Sequence, residues 1–313
     1  MPDTKRFIDL LNFIRSETDR HLQKLDFPEE PAFLYDPIRY VLKGKGKRLR
    51  PLLVHLSGRG FDADPEDLMH AGLAVELLHN FTLVHDDIMD KDDIRHGKPT
   101  VHMKYGQAAA ILVGDSIFTL GQLNIEQVQT NTIQATHAYN KASLAVCEGQ
   151  AYDLQFEGDT TVSLDQYLVM ISRKTGALLS LCAELGGILG NQSHEVCHKL
   201  HTFGLNLGRA FQVQDDILEI FSDEENLGKS LESDVAADKQ TVLTILLHLY
   251  QYFAKLFPLI IHLKAIWLHF RKLLHVFEAS FQLYIRQVLL ILLNLIVLLQ
   301  LCDMEKYGKT QFH

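Results

Sequence analysis

The sequence predicts an all-α protein, a bundle of helices, and three observations support this class. Apolar residues recur at helical spacing over long stretches, at positions 7–14, 71–84 and 203–220. Alternating runs of β-branched residues bounded by turn residues, which are typical of strands, are scarce. Of the 313 residues, 47% are hydrophobic, which is enough for a sizeable core.

Helix-breaking residues separate the predicted helices in order. Prolines and glycines interrupt the chain at 27–31, 44–46, 62–65 and 96–99. Pro65 followed by Glu66 and Asp67 predicts a helix start, because proline suits the first turn and acids suit the positive end of the helix dipole. That helix carries the apolar stretch 71–84, and a later helix carries 203–220.

The composition changes abruptly after Leu243. Up to Leu301 the only acidic residue is Glu278, and the run 288–299 is apolar apart from Asn294. Because a bilayer-spanning helix needs about 20 apolar residues, we expect a buried core helix and no stable membrane span. A change of reading frame is another explanation, since the segment lacks the charged face of a surface helix. We therefore divide the chain into 1–243 and an atypical apolar region, 244–313.

Charge and cysteine content exclude several functions. The net charge of -9 argues against broad nucleic-acid binding, which calls for a basic surface. The cysteines form no CxxC pair or zinc spacing and predict buried or free thiols in a reducing compartment. Residues 1–20 are polar and charged, without the apolar centre of a signal peptide. We expect a cytoplasmic protein.

Two acidic clusters with one shared pattern carry the predicted chemistry. Their acids are Asp86, Asp87 and Asp90 in the first cluster and Asp215, Asp216 and Glu219 in the second. Helical spacing places each set on one helix face. Because carboxylates this close repel one another, a hard divalent cation would stabilise them, and oxygen-only ligands favour Mg²⁺. The alternative is a solvated acidic helix face, but duplication of the motif favours two facing Mg²⁺ sites that hold a diphosphate.

A basic segment, Gly46-Lys47-Arg48-Leu49-Arg50-Pro51, lies upstream of both clusters. Alone it would be an ordinary basic loop. Beside two acidic clusters, its Lys47, Arg48 and Arg50 predict a phosphate clamp, because lysine and arginine donate charge-assisted hydrogen bonds to phosphate oxygens. His79 lies in an apolar helix and is either a core histidine or a ligand.

These motifs, at 46–51, 79–100 and 211–221 together with Lys174-Thr175, resemble the trans-prenyltransferases, the polyprenyl synthetase family that makes linear isoprenyl diphosphates. The resemblance covers roughly 34–243. It implies an isoprenoid-synthase-type helical bundle around a central cavity, a homodimer, and a Mg²⁺-dependent enzyme. That enzyme condenses isopentenyl diphosphate with allylic diphosphates, the prenyl group being transferred and a proton lost.

The resemblance also assigns residues. The catalytic positions are Asp86, Asp87, Asp90, Lys174, Asp215 and Asp216. The metal ligands are the six acids of the two clusters, Glu219 included, for up to three Mg²⁺ ions with substrate bound. The positions for the allylic diphosphate, besides the acids, are Arg95, Lys174, Lys229 and Lys239. The metal-free diphosphate is assigned to Gly46, Lys47, Arg50 and His79. Further substrate-binding positions are His96, Thr175 and Gln212.

Two positions depart from the family pattern. Glu219 replaces the usual third aspartate of the second cluster, and its longer arm predicts a looser ligand geometry. His96 stands where the family commonly has a second arginine, so a neutral imidazole would weaken the grip on the metal-free diphosphate.

Phe81, five residues before Asp86, bears on product length. The resemblance implies that a bulky aromatic residue here is a floor for the growing chain. Since Thr82 is not a second aromatic residue, the pattern is that of synthases that make geranylgeranyl diphosphate (C20). Farnesyl diphosphate (C15) is the alternative product. The alternative is that Phe81 only packs in the core.

Two other functions stay open. The chain could be a non-catalytic or impaired subunit of a heteromeric synthase, a hypothesis that the altered C-terminal region and His96 support. It could also be a terpene cyclase, which shares the first aspartate motif but has no need of the clamp at Lys47 and Arg50.

Overall fold

The computed structural model describes residues 4–44, 46–221 and 240–246. The chain divides into two compact units, Lys5–Ile245 and a second formed by Met1–Thr4 with Leu246–His313. The second unit lies almost wholly outside the described residues. Our expectations for the apolar region, including the run 288–299, therefore fall outside them too, and the division at residue 243 stays a prediction.

Helices make up most of the described chain, which confirms the all-α class. They are α1 (Thr4–Lys24), α2 (Ala32–Leu42), α3 (Leu49–Arg59), α4 (Pro65–Met89), α5 (Val101–Tyr105), α6 (Gln107–Ile125), α7 (Thr132–Phe156), α8 (Leu164–Ile171), α9 (Ala177–Leu189) and α10 (His194–Phe221). A π-helical turn, Ser172–Gly176, joins α8 to α9. All four predicted breaks lie between helices.

A short antiparallel hairpin between α4 and α5 was not expected from the sequence. Its strands are β1 (Ile94–Arg95) and β2 (Lys98–Pro99), with Arg95 paired to Lys98. His96 and Gly97 form the turn with φ values of 51° and 72°. Two successive positive φ values are those of the tight turn that matches strand twist, and two-residue strands are too short for a period-2 pattern to reveal.

The start of α4 confirms the prediction made from Pro65. The Asp64 side chain accepts hydrogen bonds from the backbone N–H groups of Glu66 (2.8 Å) and Asp67 (3.3 Å), so it caps the helix that Pro65 begins. Asp67 is buried, and its carboxylate accepts from the backbone N–H groups of Gln129 (2.7 Å) and Thr130 (2.9 Å). The same acid therefore ties α4 to the connection between α6 and α7.

Helix α4 is the centre of the bundle because it buries residues in both parts of the core. One cluster packs α4 with α3, α7 and α9, and the other packs α4 with α2 and α6. Phe81 packs against both clusters. Helix α6 is long and apolar enough to cross a membrane by length and composition, but its Val113 and Ile117 are fully buried beside α4, as in a core helix.

A buried histidine makes the stability of this core sensitive to pH. His55 on α3 is 3% exposed, and neither ring nitrogen has a hydrogen-bond partner among the residues that the structure describes. Burial, and then the charge of Arg59, lower the pKa of His55 to about 4. In the unfolded chain, the His55 imidazole binds a proton as the pH falls through its ordinary pKa of about 6.5. In the folded chain it stays neutral until the pH is lower. Stability is therefore lost as the pH falls from about 6.5 towards about 4.

We expect His55→Leu to remove this loss. Between pH 7 and pH 5, the free energy of unfolding of the wild type should fall by about 2 kcal/mol more than that of the variant. Urea unfolding at both pH values measures the difference, and comparing each protein with itself cancels any change in packing. Parallel pH dependences for the two proteins would contradict a neutral buried imidazole at position 55.

Candidate active site

The first acidic cluster lies at the C-terminal end of α4. Asp87 is buried and forms an ion pair with the Nε atom of Arg95, while Nη2 of Arg95 lies 3.4 Å from Asp92. Arg95 lies on β1, and the chain turns just before it, where the Asp92 backbone N–H donates to the Asp87 carbonyl (3.0 Å). The charge of Asp87 is thus offset by a protein cation.

Asp86 has a different environment from its neighbour. Burial raises the pKa of the Asp86 carboxyl, Asp90 and Asp153 add to the increase, and Lys174 and Arg95 oppose it. The raised pKa means that the ionised Asp86 carboxylate is less stable in the folded chain than in water. An added cation would stabilise that carboxylate.

In the second acidic cluster, on α10, the two aspartates also differ in their environments. The Asp215 side chain is exposed, yet desolvation by the groups around it and the charge of Asp216 raise its pKa to about 6, with Lys47 and Arg50 opposing. Asp216 is buried, and its Oδ2 accepts hydrogen bonds from the Tyr167 hydroxyl (2.6 Å) and the Val242 N–H (3.2 Å). In each cluster the second acid is held by protein groups, and the first carries the raised pKa.

Gln212 extends the network around Asp216. Its Nε2 donates to Asp216 Oδ1 (3.0 Å), and its Oε1 accepts from the Thr175 hydroxyl (2.6 Å). Thr175 lies on the π-helical turn, as does Lys174, whose ammonium donates to Asp153 on α7. The predicted residues Lys174, Thr175 and Gln212 therefore meet around one turn.

Two glycines fix the position of that turn. A Cβ atom added at Gly149 on α7 would lie 2.1 Å from the Lys174 backbone nitrogen. A Cβ atom added at Gly208 on α10 would lie 2.5 Å from Gly176 Cα. The turn is thus in close backbone contact with a helix on each side. The backbone of Lys174, from which its side chain extends, therefore has little freedom to move.

The basic residues form a separate positive region. Arg50 makes no hydrogen bond or ion pair with the described residues, and its Nε is buried without a partner. Burial lowers the pKa of His79 well below its usual value, and nearby positive charges lower it further. Those charges are Arg50, Arg95, Arg48 and His96. His79 is therefore a neutral imidazole among cations, a setting that favours a bound anion.

The two clusters and the basic residues are connected through a series of neighbouring side chains. Asp86 interacts with Lys174, Lys174 bonds to Asp153, and both Asp153 and Asp216 act on Tyr167. From the second cluster, Asp215 interacts with Arg50, and Arg50 and Arg95 both act on His79. Arg95 returns to Asp87. This closed series of neighbours, the site ring, joins α3, α4, α7, α8, α10, the hairpin and the π-helical turn.

Some predicted positions lie elsewhere. The side chain of Glu219 and all of Lys229 and Lys239 fall outside the described residues. Gly46, Lys47 and His96 are exposed. Tyr167 was not predicted as a site residue, and the only signal for it is that a buried tyrosine needs a partner for its hydroxyl. Arg48 was predicted to belong to the clamp, whereas it is buried in two ion pairs.

The residues present fit Mg²⁺, although within the described ranges no three acidic, histidine or cysteine side chains converge on one point. Mg²⁺ does not require such a cage, because it binds through one or two carboxylates, water and substrate phosphates. Asp86 and Asp215 each carry a charge that the protein itself does not fully offset. Oxygen donors of this kind are the ligands that Mg²⁺ prefers.

An all-α bundle that carries two aspartate clusters is the architecture of the isoprenoid synthases, and solved structures of that class resemble this chain. Comparisons with known proteins lead to the family. The family model described as polyprenyl synthetase matches residues 31–252. The chain belongs to the polyprenyl synthetase family and is a prenyltransferase by class.

Relatives and solved structures agree with this family. The chain is 37% identical to a geranylgeranyl diphosphate synthase of Methanosarcina mazei, over 76% of this chain and 74% of the relative. It is 42% identical to one of Sulfolobus acidocaldarius, over 68% and 66%. A crystal structure of geranylgeranyl pyrophosphate synthetase from Pyrococcus horikoshii superposes with a TM-score of 0.70 at 38% identity, covering 77% of this chain and 75% of that one.

Proposed function

We propose that this chain makes geranylgeranyl diphosphate by condensing isopentenyl diphosphate with allylic diphosphates. The single observation that carries the proposal is the site ring, which links the two acidic clusters to Arg50, an arginine with no hydrogen-bond or ion-pair partner among the described residues. The names of the similar relatives support the C20 product.

The division within each cluster assigns roles to the acids. Asp86 and Asp215 are the main metal ligands, joined by Asp90, because the first acid of each cluster has the raised pKa. Asp87 and Asp216 hold their clusters in place through Arg95 and Tyr167. Up to three Mg²⁺ ions, when bound with substrate, supply positive charge that offsets the charge growing on the leaving diphosphate. Lys174 adds a protein cation on the same side, beside Asp86.

The metal-free diphosphate of isopentenyl diphosphate fits the positive region. Lys47 and Arg50 are charged, and Arg50 has no protein partner among the described residues. Neutral His79 can donate a ring N–H to a phosphate oxygen without adding to the repulsion between the arginines. Exposed His96, in the hairpin turn, lies close enough to act on His79.

A test of the function is incubation of the purified chain with isopentenyl diphosphate, an allylic diphosphate and Mg²⁺. We expect longer prenyl diphosphates by chromatography, and none after chelation of the metal. Failure to condense any allylic primer would contradict the proposal and favour a non-catalytic subunit. A hydrocarbon product without elongation would favour a terpene cyclase.

The helix faces also support a homodimer. Large apolar residues are exposed on α6 at Ile111 (43%), Leu112 (48%) and Leu123 (52%), and on neighbouring α7 at Leu144 (62%). Pairing with a second copy would bury them, as an obligate interface does. Light scattering on the assayed preparation gives the oligomeric state.

Phe81 is the proposed floor for the growing chain. Its ring centroid lies 4.8 Å from that of His85 and 5.2 Å from that of Phe118 on α6. These three rings form an aromatic layer that joins α4 to α6, and Phe81 within it lies five residues before Asp86. A chain extended from the metals down α4 would meet this layer.

We expect Phe81→Ala to lengthen the product from C20 to C25 or beyond, because the ring no longer blocks the path. Chromatography of the dephosphorylated products measures the chain length. Phe203→Ala is the control, since Phe203 is also partly buried against the core but lies on α10. An unchanged product distribution for Phe81→Ala would show that Phe81 only packs in the core.

A further inference from the structure

Arg48 differs from the basic residues on either side of it. It is 7% exposed and stands just before α3 with φ of 50°, in the left-handed region that favours glycine. A non-glycine residue persists there only where its surroundings hold it. Lys47 is exposed, and Arg50 makes no hydrogen bond with the described residues.

The guanidinium group of Arg48 holds that conformation through three contacts. Nε donates to Asp19 Oδ1 on α1 (2.7 Å), and Nη1 donates to Glu76 Oε1 on α4 (2.6 Å). Nη2 donates to the carbonyl of Gly44, just after α2 (2.6 Å). The planar fork of arginine suits such divergent acceptors, and a lysine could not satisfy all three.

Glu76 makes these contacts relevant to the diphosphate site. Its side chain is 5% exposed and is paired to Arg48, yet its charge also acts on Arg50. Without Arg48, the buried carboxylate of Glu76 would be left unpaired, with Arg50 as a nearby cation. A buried carboxylate without its partner strongly attracts any nearby cation.

We propose that Arg48 is a positioning residue for the metal-free diphosphate: it neutralises Glu76 and Asp19, and it ties Gly44 to the start of α3, so that the charges of Lys47 and Arg50 remain available to the substrate. This inference rests on the proposed function. Arg48 itself is not placed against the substrate, because it is buried and each of its three guanidinium nitrogens donates to a protein acceptor.

The test compares the two substrates. In Arg48→Gln we expect the KM for isopentenyl diphosphate to rise about tenfold, the effect of one lost charge-assisted contact. The KM for the allylic diphosphate should change less than about twofold, because its positions lie at the acidic clusters. Arg48→Lys should give a smaller rise for isopentenyl diphosphate alone. Equal changes for both substrates would overturn the proposal.

A second change separates charge competition from damage to the fold. In the double variant Arg48→Gln/Glu76→Gln, the competing carboxylate is gone, so the KM for isopentenyl diphosphate should return to within about threefold of wild type. A double variant no better than Arg48→Gln would contradict the role given to Glu76. Arg39→Gln is the matched control, since Arg39 also makes three contacts, to Asp36, Phe27 and Pro28. We expect no change in either KM there.

Binding of inorganic diphosphate in the presence of a chelator tests the inference without catalysis. Calorimetry should show binding to the wild type and to the double variant, and about tenfold weaker binding to Arg48→Gln. If the wild type binds diphosphate but forms no product, the proposed function fails while these variants still decide the role of Arg48. If the wild type forms product and Arg48→Gln binds diphosphate equally well, the role of Arg48 alone is refuted.

Discussion

Asp86→Asn is expected to lower kcat by about 1000-fold at saturating Mg²⁺, because loss of a metal-binding charge removes several kcal/mol of transition-state stabilisation. The same substitution should leave the fold as stable as before or more stable. Burial and the neighbouring Asp90 and Asp153 raise the pKa of Asp86, so its ionised form is disfavoured in the folded chain. At pH 7 that ionised carboxylate therefore reduces stability, and a neutral amide does not.

Steady-state kinetics and urea unfolding on one preparation measure both effects. Asp93→Asn is the control, because Asp93 is exposed in the connection that follows the same cluster. We expect near-normal kcat for that variant. An Asp86→Asn enzyme within tenfold of wild-type kcat would remove Asp86 from the metal site. A large loss of stability would instead indicate that Asp86 is part of the structural framework.

Gly149→Ala is expected to destabilise the protein by about 3 kcal/mol, the upper part of the range for overpacking a tight core. The added Cβ atom would lie 2.1 Å from the Lys174 nitrogen and 2.5 Å from its Cα. Both are backbone atoms, so α7 and the π-helical turn must separate. Lys174 would then move away from Asp153, and kcat should fall together with stability.

The matched control is Gly72→Ala on α4. That glycine is also within a helix, but its added Cβ would have no neighbour closer than 3.5 Å. Because alanine favours helix over glycine by up to about 1 kcal/mol, Gly72→Ala should be neutral or stabilising. Urea unfolding of the two variants gives the comparison. Similar free energies of unfolding for both would show that the contact between Gly149 and Lys174 is not tight.

The helices were predictable where the signal is local. Pro65 with the acids after it marked the start of α4, and apolar spacing marked the stretches within α4 and α10. The family and both acidic clusters also followed from short motifs. The hairpin around His96 did not, because its strands are two residues long.

Helical spacing was enough to identify which acids share a helix face, because that depends on positions along the chain and nothing else. The different environments of Asp86 and Asp87, and of Asp215 and Asp216, became visible in the folded chain, because they depend on partners that are distant in sequence. Tyr167 lies 49 residues before Asp216, and Arg48 meets Glu76 across 28 residues. A buried charge is stabilised by whatever group the fold brings within hydrogen-bonding distance, and no local pattern records that group.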